Sequence, residues 1–242
     1  KAAAKPLVIV GTGAAARTDG AAILGLAAKI ALDVGKGEGA GSFNLLHTAA
    51  SRVAGLDLGF VPKGGKALDL AALDVVYLLG ADEMAMDRLG KAFVIYQGSH
   101  GDRGAHRADV ILPGAAYTEE SGIFVNTEGR PQMANRAGFP PGEARENWAI
   151  LRALSAQLGA VLPFDTLAAL RAQLFQAVPH LAAIDQVPAN GWVPVPLGAV
   201  DPVDFGAPAR QHYLSNPIAR ASQVMAELAK LASTGAQPLA AE

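Results

Sequence analysis

The sequence predicts an α/β fold: an open, mainly parallel sheet flanked by helices, with a β-hairpin insertion and a proline-rich, helix-ending C-terminal arm. Three observations predict it. Short apolar runs of strand type are each closed by Gly or Pro. Helical stretches separate these runs, which makes neighbouring strands pair in parallel. After about residue 121 the pattern shifts to a turn between β-prone flanks, then to amphipathic helices and a stretch rich in proline. The expected division is an α/β domain over residues 1–160, followed over 161–242 by a helix, the proline-rich arm and a terminal helix.

Taken in order, Leu7-Val8-Ile9-Val10 is an apolar run closed by Gly11-Thr12-Gly13 and reads as a strand buried on both faces. Thr18-Asp19 offers an N-cap for an Ala-rich helix over Ala21–Leu32. Phe43–His47 reads as a second strand, with a short helix over Thr48–Ala54. Leu73–Leu79, Phe93–Tyr96 and Asp109–Leu112 are the next strands, stopped by Gly80, by Gln97-Gly98 and by Pro113-Gly114. Gly122–Val125 and Arg130–Ala134 flank Asn126-Thr127-Glu128-Gly129 as a hairpin, with Gly129 expected at positive φ. Glu146–Leu158 is an amphipathic helix whose inward positions Trp148, Leu151, Leu154, Ser155 and Leu158 fall at helical spacing, stopped by Gly159. Thr166–Val178 is another helix. Pro179–Pro208 reads as an extended arm, with Trp192 and Phe205 as candidate anchors, and Pro217 opens a terminal helix to Leu231 whose Ile218, Val224, Met225 and Leu228 form a candidate buried stripe.

Composition narrows the function classes. The 242 residues are 51% hydrophobic and only 17% charged, with 27 glycines and a net charge of −2. A surface so poor in charge points to a covering partner. The near-neutral balance gives no electrostatic footprint for nucleic acid or an anionic membrane. Cysteine is absent, which removes disulfides, thiolate nucleophiles, cysteine-type zinc sites and iron–sulfur ligation from this stretch. No apolar run reaches the roughly 20 residues that span a bilayer. The chain starts at Lys1 with a strand close behind it, and it reads as a segment of something longer.

Three motifs invite chemistry. Gly11-Thr12-Gly13 after a strand resembles a dinucleotide fingerprint. Its third glycine is replaced by Ala16, Arg17–Gly20 interrupt the helix that should follow, and Asp33, the acid at the expected spacing, ends a helix instead of a strand. His100 and His106, with Asp102 and Asp109, suggest a metal site, but Arg103 and Arg107 sit inside the cluster and repel a cation. Glu119-Glu120 are adjacent, and adjacent side chains diverge rather than aim at one bond. No residue is therefore assigned a catalytic, cofactor-binding or metal-binding role.

A longer pattern is more specific. Ala108-Asp109-Val110-Ile111-Leu112-Pro113-Gly114-Ala115-Ala116-Tyr117-Thr118-Glu119-Glu120-Ser121-Gly122 resembles a signature of the molybdopterin oxidoreductase superfamily. Tyr96–Asp102 upstream, Asn126–Arg130 at the hairpin, Arg17–Gly20, and Pro141–Trp148 resemble the large iron–sulfur subunit of respiratory NADH:quinone oxidoreductase (complex I). Tyr213–Ser222 is similar to the C-terminal signature of that polypeptide, with Asn216 where Asp is expected; Asn also caps a helix.

The resemblance implies the C-terminal portion of that subunit, with the molybdopterin-enzyme architecture and no pterin. The implied role is a cofactor-free structural and interaction domain that supports electron transfer from NADH to quinone. The [4Fe–4S] and [2Fe–2S] clusters are implied upstream of this segment. Implied partners are the other hydrophilic subunits and the subunit's own cluster-bearing domain, with no nucleic acid and no direct membrane insertion. The implied location is the cytoplasmic face of a bacterial inner membrane, or the matrix side in mitochondria. Asp82-Glu83 follow a strand where relatives hold a diphosphate, and each carboxylate facing one would cost about 1–4 kcal/mol at contact distance. The alternative is a nucleotide- or molybdopterin-binding oxidoreductase domain.

Overall fold

The structure is a computed structural model and describes residues 3–35, 42–47, 49, 52–62, 68–189, 196–206 and 213–234. In chain order its main elements are β1 (Val8–Gly11), α1 (Thr12–Ala15), α2 (Gly20–Val34), β2 (Phe43–Leu46) and α3 (Arg52–Asp57). Next come β3 (Val75–Leu79), β4 (Phe93–Gly98), α4 (Arg103–Arg107), β5 (Val110–Pro113), β6 (Gly122–Val125) and β7 (Pro131–Ala134). The last are α5 (Asn147–Gln157), α6 (Leu167–Ala177), α7 (Pro217–Ala221) and α8 (Gln223–Thr234). Contacts gather these into two units, each assembled from separate stretches of chain. The expected division at residue 160 falls inside the second unit.

The first unit comprises Lys1–Phe60, Ile123–Met133 and Ala177–Pro208. β1 and β2 pair in parallel, Val8 beside Phe43 and Gly11 beside Leu46. This corrects two expectations. β1 joins β2 in a sheet of its own instead of the sheet of β3, β4 and β5. It is also open on one face, with Ile9 exposed, since a two-stranded sheet buries only alternate side chains. α2 is rich in alanine, the strongest helix former, and buries Ala22, Ala28 and Ala31. Gly20 permits the corner before it: a Cβ there would stand 2.1 Å from the Ala15 carbonyl oxygen. The short helix expected over 48–54 lies at Arg52–Asp57.

The hairpin forms as expected, β6 against β7, with Asn126 donating its backbone N–H to the Arg130 carbonyl at 3.1 Å. The Asn126 side chain caps the turn, accepting N–H bonds from Glu128 and Arg130 at 2.9 and 3.0 Å. Gly129 has φ of +82°. The arm opens with a short 3₁₀ helix, Pro179–Ala182. Arg130 donates to the Asp185 carbonyl at 2.6 Å and Asp185 N–H donates to Pro131 at 2.8 Å, which stitches the start of the arm to the hairpin.

The second unit comprises Val61–Gly122, Ala134–Gln176 and Ala209–Glu242. β3, β4 and β5 pair in parallel in sequential order. Leu78, Val94 and Tyr96 from one face form a core with Leu89 and Ala92, and Ala105 of α4 packs against it. Such side chains contribute about 1.5–3 kcal/mol each on full burial. β5 runs one residue further than expected and includes Pro113 beside Gly98; a proline is tolerated at an edge strand because only one side carries ladder bonds. α5 ends as expected before Gly159, whose φ is +70°, but Leu158 is exposed rather than part of the buried stripe. Its inward residue at that end is Ser155.

The terminal helix is two helices, α7 and α8, parted at Ser222, whose φ of −82° and ψ of 123° are extended. Asn216 caps α7 as expected, its side chain accepting the Ala219 N–H at 2.9 Å. Of the apolar residues of these helices, Met225 and Leu228 are half-buried and Ile218 is exposed. Val224 faces solvent and Ala229 is the buried residue of α8.

Candidate functional site

Ligands of open parallel sheets bind beyond the carboxyl ends of the strands, and in the second unit that region is filled by side chains. Asp82, after β3, is fully buried. Its carboxylate accepts the Gly104 N–H at 3.2 Å and a bond from the Arg220 guanidinium. Arg220 belongs to α7, and its Nε also donates to Asp102, which follows β4. A third guanidinium nitrogen reaches the Leu214 carbonyl at 3.4 Å. One arginine from the end of the chain thus joins two carboxylates from adjacent strand ends.

The charges respond accordingly. Hydrogen bonding to Arg220 holds Asp102 below the ordinary carboxylate value, against an opposing effect of burial. Burial alone lowers Arg220, but its bonds and charges with Asp102 and Asp82 outweigh that and hold it above its usual value. Burial, and then the neighbouring charge of Asp82, push the Tyr96 hydroxyl up. That hydroxyl donates to the His100 carbonyl at 3.2 Å.

Three glycines here are explained by protein atoms. A Cβ on Gly104 would stand 2.5 Å from the Tyr96 ring, and one on Gly98 would collide with the Tyr96 hydroxyl oxygen at 2.3 Å and its ring at 2.4 Å. A Cβ on Gly114 would meet Asn147 Oδ1 at 2.4 Å. Asn147 and Gln97 form a second polar knot. Gln97 donates to Asn147 Oδ1 at 2.8 Å and accepts from Tyr77, while Asn147 donates to Glu120 at 2.8 and 2.9 Å. Glu119 accepts the Ala116 N–H at 3.0 Å. The two adjacent acids therefore brace separate turns. A cleft of about 410 Å³ remains past β4 and β5, with Ser99, His100, Glu119 and Glu143 among its polar lining.

The histidine cluster does not assemble: among the described residues no group of three or more His, Cys, Asp or Glu is placed to hold a metal. Arg107 instead donates to the carbonyls of Gly90 and Ala92 at 3.1 and 2.9 Å. Glu83 turns back to accept the Asp82 N–H at 3.1 Å. Asp82 is thus held by Arg220 and Gly104, and Glu83 by the backbone beside it.

In the first unit the region after β1 is a clamp rather than a nucleotide turn. Arg17 makes a two-pronged pair with Asp19 at 2.8 and 3.1 Å and donates to the carbonyls of Val203 and Asp204 at 3.0 and 3.1 Å. Asp19 accepts the Asp201 N–H at 2.9 Å, and Thr18 donates to the Asp201 carboxylate at 3.0 Å. Asp19 therefore holds the arm and makes no side-chain cap on α2. Arg17 also lies over the Phe205 ring at 4.7 Å. A cavity of about 680 Å³ in this unit holds His47 and a His180–Asp57 pair at 3.0 Å. No local pattern marks this pair, since its members stand far apart in the chain.

The signature of the family described as "Molybdopterin oxidoreductase" matches residues 1–157. The chain belongs to the molybdopterin oxidoreductase family. Within it, the chain is 46% identical over 222 residues to the mitochondrial NADH-ubiquinone oxidoreductase 78 kDa subunit of Candida albicans, covering 89% of this chain and 30% of that protein. The NADH-ubiquinone oxidoreductase 75 kDa subunit of Reclinomonas americana is 39% identical over 236 residues, covering 94% and 34%. A bacterial relative, an NADH-quinone oxidoreductase subunit from Rickettsia felis, is 42% identical over 231 residues, again covering 94% and 34%. The chain thus spans about a third of the length of these curated relatives. Among solved structures, acetylene hydratase from Pelobacter acetylenicus is similar over 40% of this chain and 13% of its own, with a TM-score of 0.31 and 21% identity.

Proposed function

We propose that this chain is the carboxyl-terminal, cofactor-free part of the large iron–sulfur subunit of proton-translocating NADH:quinone oxidoreductase, serving structure and assembly while clusters elsewhere in the subunit carry the electrons. The observation that carries the reading is Arg220, which bonds Asp82 and Asp102 at the strand ends. The residues present do not fit a pterin dinucleotide. The guanidinium nearest the strand ends is neutralised by two carboxylates, the space beside Gly98, Gly104 and Gly114 is held by Tyr96 and Asn147, and the remaining cleft presents Glu119 and Glu143. A diphosphate facing each carboxylate loses about 1–4 kcal/mol at contact distance. The absence of cysteine leaves this stretch no thiolate for a metal or a cluster.

On this reading the partners are the hydrophilic subunits of the enzyme and the subunit's own cluster-bearing domain. The site of action is the cytoplasmic or matrix side of the energy-conserving membrane. Among the described residues no helix is long and apolar enough to cross a membrane.

The test is Arg220→Met in the full-length subunit. Removing one partner of a buried pair costs about 3–5 kcal/mol, so assembled enzyme should fall severalfold. The cluster spectra and NADH:quinone turnover of each complex that does assemble should be unchanged. Molybdenum or pterin recovered in a one-to-one ratio with the wild-type subunit would favour the pterin-binding alternative. Full assembly with lost turnover would overturn the structural role.

A further inference from the structure

The Asp82–Arg220–Asp102 cluster of the second unit has the make-up of a receptor and its ligand. The two acids belong to the sheet. Asp82 stands past the end of β3, and Asp102, past the end of β4, is the N-cap residue of α4. Since β3 and β4 pair directly, the sheet brings the carboxylates together. Arg220 arrives from 118 and 138 residues further along the chain. Its helix, α7, has five residues and buries none of them.

Donor geometry determines what the acids select. A guanidinium is planar with five N–H donors in a fixed fork, whereas an ammonium is a compact point charge. Each guanidinium nitrogen of Arg220 has its own acceptor: Nη2 serves Asp82, Nε serves Asp102, and Nη1 reaches the Leu214 carbonyl. Two acids at separate strand ends are thus bonded along the edges of one plane. The neighbouring Tyr96 hydroxyl offers neither of them a proton, because it donates to the His100 carbonyl. Asp82 is fully buried. Without a guanidinium its charge is left with the Gly104 N–H, a costly state away from water. The tail, for its part, leans on this contact. The Arg220 side chain is 9% exposed, whereas Val224 and Leu231 of α8 lie open to solvent. Docking concentrated in one desolvated arginine is the pattern of a binding hot spot.

We propose that Asp82 and Asp102 form a guanidinium-binding site, selective for guanidinium over ammonium, whose resident ligand is the chain's own Arg220 and which takes a free guanidinium compound when that side chain is missing. Tethering gives Arg220 an effective concentration in about the millimolar range, so a small guanidinium at millimolar levels leaves the wild-type site occupied by its own arginine. The selectivity rests on the geometry of the second unit and does not depend on a role in electron transfer.

The test is chemical rescue of Arg220→Ala in the full-length subunit. Methylguanidinium and methylammonium are compared at equal concentration and ionic strength, and hydrogen exchange is read by mass spectrometry over residues 80–108, where the Gly104 amide bonds Asp82. Exchange there should be faster in the variant than in the wild type. Methylguanidinium at about ten times its dissociation constant should slow it by about tenfold, and methylammonium should not. Adding Asp82→Asn to the variant should abolish the response, and the wild type should show none. An equal response to both cations, no response to methylguanidinium, or a response that survives Asp82→Asn would overturn the proposal. Should Arg220→Ala fail to fold, Arg220→Lys takes its place, since it keeps the charge and most of the stem. It should leave the same amides exchanging faster than in the wild type, and wild-type protection in it would equally overturn the selectivity. The functional reading is judged separately, by recovery of the wild-type subunit in the purified respiratory enzyme.

Discussion

At the scale of single residues, backbone conformation is the most local determinant and the most readable. Gly129 sits at φ +82° in the hairpin turn, and a Cβ there would touch Pro188 at 3.4 Å. A side chain in the left-handed region costs about 1–2 kcal/mol, and a β-branched one is strained further. Gly129→Val should lower stability by more than the ±0.5 kcal/mol usual for surface changes, read as a shift in urea midpoint at unchanged slope. An unchanged midpoint would show that the turn tolerates a side chain. The need for glycine is legible from Asn126-Thr127-Glu128-Gly129 alone, because a turn is settled by neighbours in sequence. The partner of Asp82 is not legible: Arg220 lies 138 residues away, and no local pattern marks an acid that will be buried by a distant arginine.

At the scale of elements, strands and caps are readable, and phase is not. β3, β4 and β5 fall within two residues of the apolar runs that announce them, since their burial pattern is written in consecutive side chains. The terminal helix looks continuous in sequence because nothing in Ala221-Ser222-Gln223 breaks a helix by propensity; the extended Ser222 is imposed by the fold. Its start is legible in Asn216-Pro217. Asn216 accepts the Ala219 N–H, and loss of such a cap costs about 0.5–2 kcal/mol. Asn216→Ala should destabilise by that amount and Asn216→Asp should hold, as thermal melts of the two variants would show. Equal loss in both would mean that the side chain acts through something other than its oxygen.

At the scale of the whole molecule, each unit carries one carboxylate held low by an arginine: Asp19 by Arg17 in the first and Asp102 by Arg220 in the second. A carboxylate whose folded value lies below its unfolded one stabilises the fold above the unfolded value and ceases to do so as pH falls through the folded one. Both contributions should therefore be complete above about pH 4, the ordinary value being 3.8, and vanish progressively below it. Melts across pH 2–7 should show an acid limb that becomes shallower in Asp102→Asn and in Asp19→Asn. An acid limb unchanged in both variants would remove these pairs from the account. In the sequence Arg17–Gly20 stands out as part of a family pattern, and Thr18-Asp19 as a helix cap. Its purpose as a clamp on residues 201–205 requires the fold, because pairing across more than 180 positions leaves no periodic trace.

Because each unit is braided from separated stretches, the order in which the chain is made matters to how it folds. β1, α2 and β2 leave the ribosome well before the segments that complete their unit, Ile123–Met133 and Ala177–Pro208. At a synthesis rate of about 5–20 residues per second, that wait is on the order of ten seconds. During it Arg17 and Asp19 have none of their late-arriving partners on the arm. The second unit closes later still, when Arg220 emerges to neutralise Asp82 and Asp102. A chain that stalls before Arg220 leaves Asp82 and Asp102 without their arginine, and it is open to degradation for as long as it waits.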